Sequence, residues 1–172
     1  MQTTETPRIW IGCLASYNAG TLHGEWIDAT DADEIYEAID SILKSSPEPN
    51  AEEWIICDHE NFGGISIYQY ASIEEVARLG ALVQLYGEAF AAFAAHVGQK
   101  DATADDFDDH FRGHWDTEQA FAEELFDECY SLDSLPESIR CYFDYAAFSR
   151  DLFINDFYAV DAREGGVYVF CR

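Results

Sequence analysis

Apolar and polar positions alternate along this chain in two rhythms. In "RIWIGCLAS" (8–16) apolar residues run almost unbroken, as in a buried strand. "YNAGTLHG" (17–24) reads as a turn-rich loop and "EWIDA" (25–29) as a second short strand. Ile35, Ile39, Ile42 and Leu43 then recur at i, i+4, i+7 and i+8, the stripe of an amphipathic helix, with Asp31 and Glu34 at its start as a D-x-x-E cap. "SSPEPN" (45–50) ends that helix, "EEWIICDHE" (52–60) is a third strand, and "NFGG" is a turn. Ser72 and Glu75 open a helix over "SIEEVARLGALVQLYG" (72–87), followed by a second over "EAFAAFAAHV" (88–97). Thr103 caps a further block, expected to be two helices broken near Gly113–Asp116. "SIRCYFDYAAFSRDLFIND" (138–156) is helical, in one piece or two, and "FYAVDA–REGG–VYVFCR" closes the chain as a β-hairpin. The pattern predicts an α+β fold. It is a row of three small units: a β-sheet plus helix over 1–62, a helical unit over 63–102, and helices plus a hairpin over 103–172.

Composition sharpens this picture. With 48% hydrophobic and 15% aromatic residues the chain can build a core, so it is not a disordered acidic tail. Its formal net charge is nonetheless −25. Such a surface repels nucleic acid and anionic membranes and steers cationic partners toward itself. The five cysteines lack C-x-x-C spacing, and no secretory leader opens the sequence; they are expected to be reduced in a cytoplasmic protein. The longest small-apolar run, "AFAAFAAHVG" (89–98), is too short to cross a bilayer.

The acids are grouped. Residues 101–130 hold eleven Asp or Glu and one Arg, while 72–100 hold three acids. With 104–115 as a helix, Phe107, Phe111 and Trp115 share an arc of about 80°, and Asp105, Asp106, Asp108 and Asp109 a separate arc of about 160°. Asp116 lies at the break. From Glu118 onward, Ala122, Leu125, Phe126 and Cys129 face one way and Glu123, Glu124, Asp127 and Glu128 the other. The helix at 31–44 repeats the arrangement with Asp33, Glu34, Glu37 and Asp40. Three readings compete: ordinary solvated helix faces, halophilic adaptation, and a surface that imitates a polyanion. Uneven distribution argues against halophilic adaptation, which spreads acid evenly. Duplex DNA carries one charge per ~1.7 Å, so this net charge equals that on roughly 40 Å of duplex.

The stretch "CLASYNAG-x-LHG-x-WID", the "EEW-x-I-x-D" strand and the ending "YFDYAAFSRDLF…GVYVF" resemble the ArdA antirestriction protein family over nearly the whole chain. The resemblance implies a mimic of bent B-form DNA that occupies the DNA-binding groove of type I restriction–modification enzymes, formed by methyltransferase core and specificity subunit. It implies carriage by mobile elements, a curved row of three α/β units, and a homodimer joined through the C-terminal unit. The family's antirestriction motif maps by charge pattern to "FAEELFDECYSLDSLPE" (121–137), carrying over Glu123, Glu124, Asp127, Glu128, Asp133 and Glu137. A dimer contact beyond about residue 130 would draw on Tyr142, Phe143, Tyr145, Phe148, Phe153, Phe157 and Tyr158, with core packing as the competing role.

Catalytic chemistry finds little support. His110 and His114, one helical turn apart, could suit a metal but lack the Glu of H-E-x-x-H, and read as boundary histidines. Cys13 could pair with His23 or His59 only by accident of folding. There is no G-x-S-x-G, P-loop or G-x-G-x-x-G. With 34 acids, any carboxylate pair could be offered as acid and base, so that signal has no specificity. A non-catalytic inhibitor without metal or cofactor is expected; a general acidic partner or antagonist of basic DNA-binding proteins is the alternative, and a carboxylate- or metal-dependent hydrolase a distant third.

Overall fold

The computed structural model describes residues 5–130, 132 and 136–172. The chain is mixed α+β and parts into two compact units, residues 1–102 and 103–172. Residues 63–102, read from the sequence as a unit of their own, belong to the same compact body as residues 1–62.

The first unit is built on an antiparallel sheet of order β2-β1-β3: β1 (Arg8–Cys13), β2 (Gly24–Asp28) and β3 (Trp54–Glu60). Side chains alternate across a strand, so Ile9 and Ile11 of β1 both point inward and are fully buried. The apolar stripe of α2 (Ala32–Lys44), namely Ile35, Ile39 and Ile42, is buried too. Arg8 lies opposite both Asp28 and Glu60, and its guanidinium reaches each at 3.3 and 3.4 Å, tying the strands together. The expected strand over 8–16 stops at Cys13; a short helix, α1 (Leu14–Asn18), follows. Cys13 N donates to His23 O and Leu14 N to Glu53 O, carrying the cross-strand bonding up to the start of that helix.

The cap signals are realised. The Asp31 side chain accepts from Asp33 N and Glu34 N, and Ser72 Oγ accepts from Glu75 N at the start of α3 (Ile73–Tyr86). Gly87, at φ +71°, separates α3 from α4 (Glu88–Val97). Gly80 sits inside α3 because the helix passes close to Ala29; a Cβ there would run into Ala29 O. Removing that Cβ lets α3 lie on the turn after β2, with Val76, Leu79 and Val83 buried.

The second unit carries a sheet of order β4-β6-β5: β4 (Phe111–Trp115), β5 (Phe157–Asp161) and β6 (Val167–Cys171). The hairpin β5–β6 is as expected, from Phe157 opposite Cys171 to Asp161 opposite Val167. Strand β4 corrects the expected helix over 104–115. The acidic helix α5 spans only Ala104–His110, and the next five residues pair with β6 from Phe111 opposite Phe170 to Trp115 opposite Val167. Gly113 stands at φ +115°, a conformation no α-helix contains. Phe111, Gly113 and Trp115 are half-buried and Arg112 and His114 exposed, a period of two. Helices α6 (Glu118–Cys129), α7 (Glu137–Arg140) and α8 (Tyr145–Asn155) complete the unit. Its core centres on Phe121, Phe153 and Val169, with Trp115 and Phe157 packed against them. Phe107, Phe111 and Phe170 form an adjoining aromatic cluster, with Phe107 stacked on Phe111 at 4.8 Å.

Candidate functional site

The acidic faces follow from packing. On α2 the isoleucine stripe turns inward, so Asp33, Glu34, Glu37 and Asp40 are left exposed on the far side. On α5 the single buried anchor is Phe107, and Asp105, Asp106, Asp108 and Asp109 are all exposed. Thr103 fixes the start of this helix: its hydroxyl accepts from Asp106 N at 3.1 Å and donates to Asp106 Oδ2 at 2.6 Å. On α6, Phe121, Ala122 and Phe126 are buried; Glu118, Glu124, Asp127 and Glu128 are exposed, and Glu123 is half-buried, accepting from Gln119 Nε2 at 2.6 Å. Asp116 is exposed between β4 and α6, and Glu137 is exposed in the first turn of α7. Asp133 lies outside the described residues. Asp105 to Asp109 and Glu118 to Glu137 thus belong to the second unit, and the four α2 acids to the first.

Cations do little to neutralise these faces. Asp40 pairs with Lys44 across one turn at 3.5 Å, both side chains well exposed. Among the described residues no ion pair engages the other α2 acids, Asp105 or Asp109 of α5, or the acids of α6. The arginines serve the fold instead. Arg112, in the midst of the acidic block, donates to the carbonyls of Asp109 (2.8 Å) and Phe111 (2.9 Å) and approaches Cys171 Sγ (3.1 Å). It thereby ties the end of α5 to the sheet, where the helix dipole also favours a cation. Arg78 pairs with Glu75 through two bonds (2.8 and 3.0 Å) and donates to Gln99 O and Ala102 O at 2.6 Å each. Arg172 donates to Phe157 O at 3.1 Å and lies over the Tyr158 ring. Only the crowding of acids is legible in the sequence; that these arginines engage backbone carbonyls is not.

The electrostatic perturbations fit this surface. Burial, then the charges of Asp127 and Glu123, push the Tyr145 hydroxyl above its usual range. The Ser72 hydroxyl, then the Glu74 amide and the Tyr36 hydroxyl, hold the Glu74 carboxyl below its usual range, and Tyr36 Oη donates to it at 2.8 Å. That bond links α2 to α3.

The histidines do not form the helical pair considered from sequence. His110 ends α5 and bonds Asp106 O, whereas His114 lies on β4 and bonds Gly165 O. Among the described residues no group of three or more His, Cys, Asp or Glu is placed to hold a metal. Cys13 Sγ contacts Ser46 Oγ at 3.4 Å, and His23 Nε2 bonds Ile42 O at 2.9 Å. The aromatic segment beyond residue 130 divides. Phe153 is in the core, and Phe143, Tyr145 and Phe148 surround Phe126 with centroids 4.4–5.7 Å away. Tyr142 is 82% exposed.

A protein-family model described as "Antirestriction protein (ArdA)" matches residues 9–166, nearly the whole chain. No curated protein matches it.

Proposed function

The chain belongs to the ArdA antirestriction protein family, and from that premise we propose that it inhibits a type I restriction–modification enzyme by imitating B-form DNA. The family's function is antirestriction, exerted as an inhibitor, and its members' partners are restriction–modification enzymes. The finer reading is that the carboxylates of α2, α5 and α6 replace phosphates in the DNA-binding groove made by methyltransferase core and specificity subunit. The observation that carries it is the exposure of nearly all of these acids on helices whose opposite faces are anchored by isoleucine or phenylalanine. An anchored helix presents its charges with little ordering entropy left to lose on binding, unlike a flexible polyanion. Within this reading Asp33, Glu34, Glu37 and Asp40 form one patch. Asp105, Asp106, Asp108 and Asp109 form a second. Asp116, Glu118, Glu123, Glu124, Asp127, Glu128 and Glu137 form a third, and Asp133 is assigned the same role by its place in the sequence alone.

The same proposal includes a homodimer, action in the cytoplasm, and carriage by a mobile element. Among the described residues no helix is long and apolar enough to cross a membrane. Exposed Tyr142 is the aromatic side chain best suited to a dimer contact beyond residue 130. The test is displacement. A labelled duplex bound to a type I methyltransferase is titrated with the protein, and release of DNA in step with inhibitor binding is expected. A stable ternary complex retaining the DNA would refute mimicry and favour a general acidic partner of basic proteins.

A further inference from the structure

We propose that Glu74 of α3 is a further carboxylate of the inhibitory surface, set beside the α2 patch by a hydrogen bond from Tyr36. The proposal rests on the inhibitor reading above and adds to it a residue outside the three patches, together with the side chain that positions it.

Glu74 and Glu75 both stand in the first turn of α3. The fold gives them opposite fates. Glu75 offers both carboxylate oxygens to Arg78, at 2.8 and 3.0 Å, so its charge is matched. Glu74 is exposed, and among the described residues no ion pair engages it. Hydroxyls hold it instead. Tyr36 Oη donates to its Oε1 at 2.8 Å and Ser72 Oγ to its Oε2 at 2.5 Å. Two neutral donors fix a carboxylate in place without cancelling its charge. They also favour its charged form, and the carboxyl is held below its usual range, first by Ser72. The bond to Glu74 in turn pushes the Tyr36 hydroxyl above its usual range.

Tyr36 stands at the seam of α2. At about 100° per residue it lies about 40° from Asp40 on the acidic face and about 60° from Ile39 on the buried stripe. It is 42% exposed, so its ring flanks the carboxylates and its hydroxyl meets Glu74 at their margin. The bond thereby widens a patch carried by one helix onto a second. Among the described residues the side chains of Asp33, Glu34 and Glu37 have no hydrogen bond of this kind. Those side chains must be ordered when a cation of the target arrives. Glu74 is ordered beforehand and loses less conformational freedom on contact.

A double-substitution cycle separates positioning from packing. Displacement of a labelled duplex from a type I methyltransferase reads target binding. Glu74→Gln should weaken it about 1.4- to 5-fold, the range for one exposed charge. Tyr36→Phe keeps the ring and changes no charge; it should weaken binding by about 1.4-fold or more, and by no more than Glu74→Gln. In the Glu74→Gln background Tyr36→Phe should add no further loss, because the tyrosine acts through that charge. Tyr36→Phe should also move the Glu74 carboxyl titration, followed by NMR, to higher pH, with circular dichroism unchanged. Glu52→Gln neutralises an exposed acid of the same unit outside the patch and should cost less than Glu74→Gln. Wild-type binding by Glu74→Gln, or a loss no larger than that of Glu52→Gln, would overturn the proposal. So would an equal loss from Tyr36→Phe in both backgrounds, or a Glu74 titration that Tyr36→Phe leaves unmoved. Failure of the wild-type protein to displace DNA is a separate outcome that overturns the inhibitor reading itself; the carboxyl titration needs no target and reads the Tyr36 bond independently.

Discussion

Replacing Arg112 with Met sets the two determinants of an acidic mimic against each other. The change removes one of few cations and makes the formal net charge, −25, one unit more negative. If inhibition depended on summed charge alone, an extra exposed unit of roughly 0.2–1 kcal/mol would tighten binding about 1.4- to 5-fold. The structure predicts the opposite. Arg112 holds Asp109 O and Phe111 O at 2.8 and 2.9 Å, at the junction of α5 and β4. A hydrogen bond from a charged donor is worth about 1.5–3 kcal/mol when protected and less at an exposed site, and a cation at a helix C-terminus adds about 0.3–1 kcal/mol. A combined loss of about 1–2 kcal/mol makes opening of the last turn of α5 some 5- to 30-fold easier. Helix α5 has seven residues, too few to be stable without tertiary support. Where the ordered helix becomes the minor form, apparent affinity falls in proportion to its population. The Arg112→Met protein should therefore inhibit DNA cleavage several-fold less well, with faster hydrogen exchange at amides 107–111. Arg112→Lys, which keeps the charge and one or two donors, should recover part of the loss. Inhibition equal to or better than wild type, with exchange at α5 unchanged, would refute the claim that held positions matter beyond charge.

Three further outcomes are expected. Single amide substitutions such as Glu124→Gln or Asp127→Asn should weaken inhibition about 1.4- to 5-fold each, adding up across distant sites and shrinking at high salt; one substitution that abolishes inhibition in a folded protein would revive a localised site. Phe121→Ala should cost about 3–5 kcal/mol, because Phe121 is 4% exposed and packs edge-on to Trp115, Phe153 and Phe157; chemical denaturation followed through Trp115 measures it, and a cost under about 1 kcal/mol would contradict the assigned core. Burial, and then the neighbouring Cys171, push the Tyr158 hydroxyl up to about 12 against the opposing pull of Arg172. A raised folded-state value means this contribution to stability is complete below about pH 10 and is lost as the pH rises through about 12. An ultraviolet phenolate titration should show a late phase that Tyr158→Phe removes, and a titration in which all tyrosines ionise together near 10 would contradict it.

Helices α2, α3 and α6, the start of α5, and the β5–β6 hairpin were legible in the residues themselves because their determinants are local. Asp31, Ser72 and Thr103 each bond amides two or three residues ahead, and apolar residues at helical spacing select the buried face. The exposure of the α2 and α5 acids follows from the same spacing, since a carboxylate opposite an isoleucine stripe or a phenylalanine anchor has nowhere to go but solvent. The sequence also determined that this chain folds while carrying a large negative charge, and the resemblance it bears to its family.

Strand β4 was not determined locally. "FRGHW" alternates apolar and polar residues at a period of two, yet five residues after a capped acidic helix also extend a helical pattern. Tertiary pairing with β6, more than fifty residues further along, selects the strand, and Gly113 makes the required backbone available. The attachment of Arg78, Arg112 and Arg172 to carbonyls, and the bond from Tyr36 of α2 to Glu74 of α3, exist only in the folded chain. The physical division is one of range. A helix satisfies its backbone within four residues and so announces itself in sequence, whereas a strand, an arginine clamp or a bond between helices takes its partners from wherever the fold brings them.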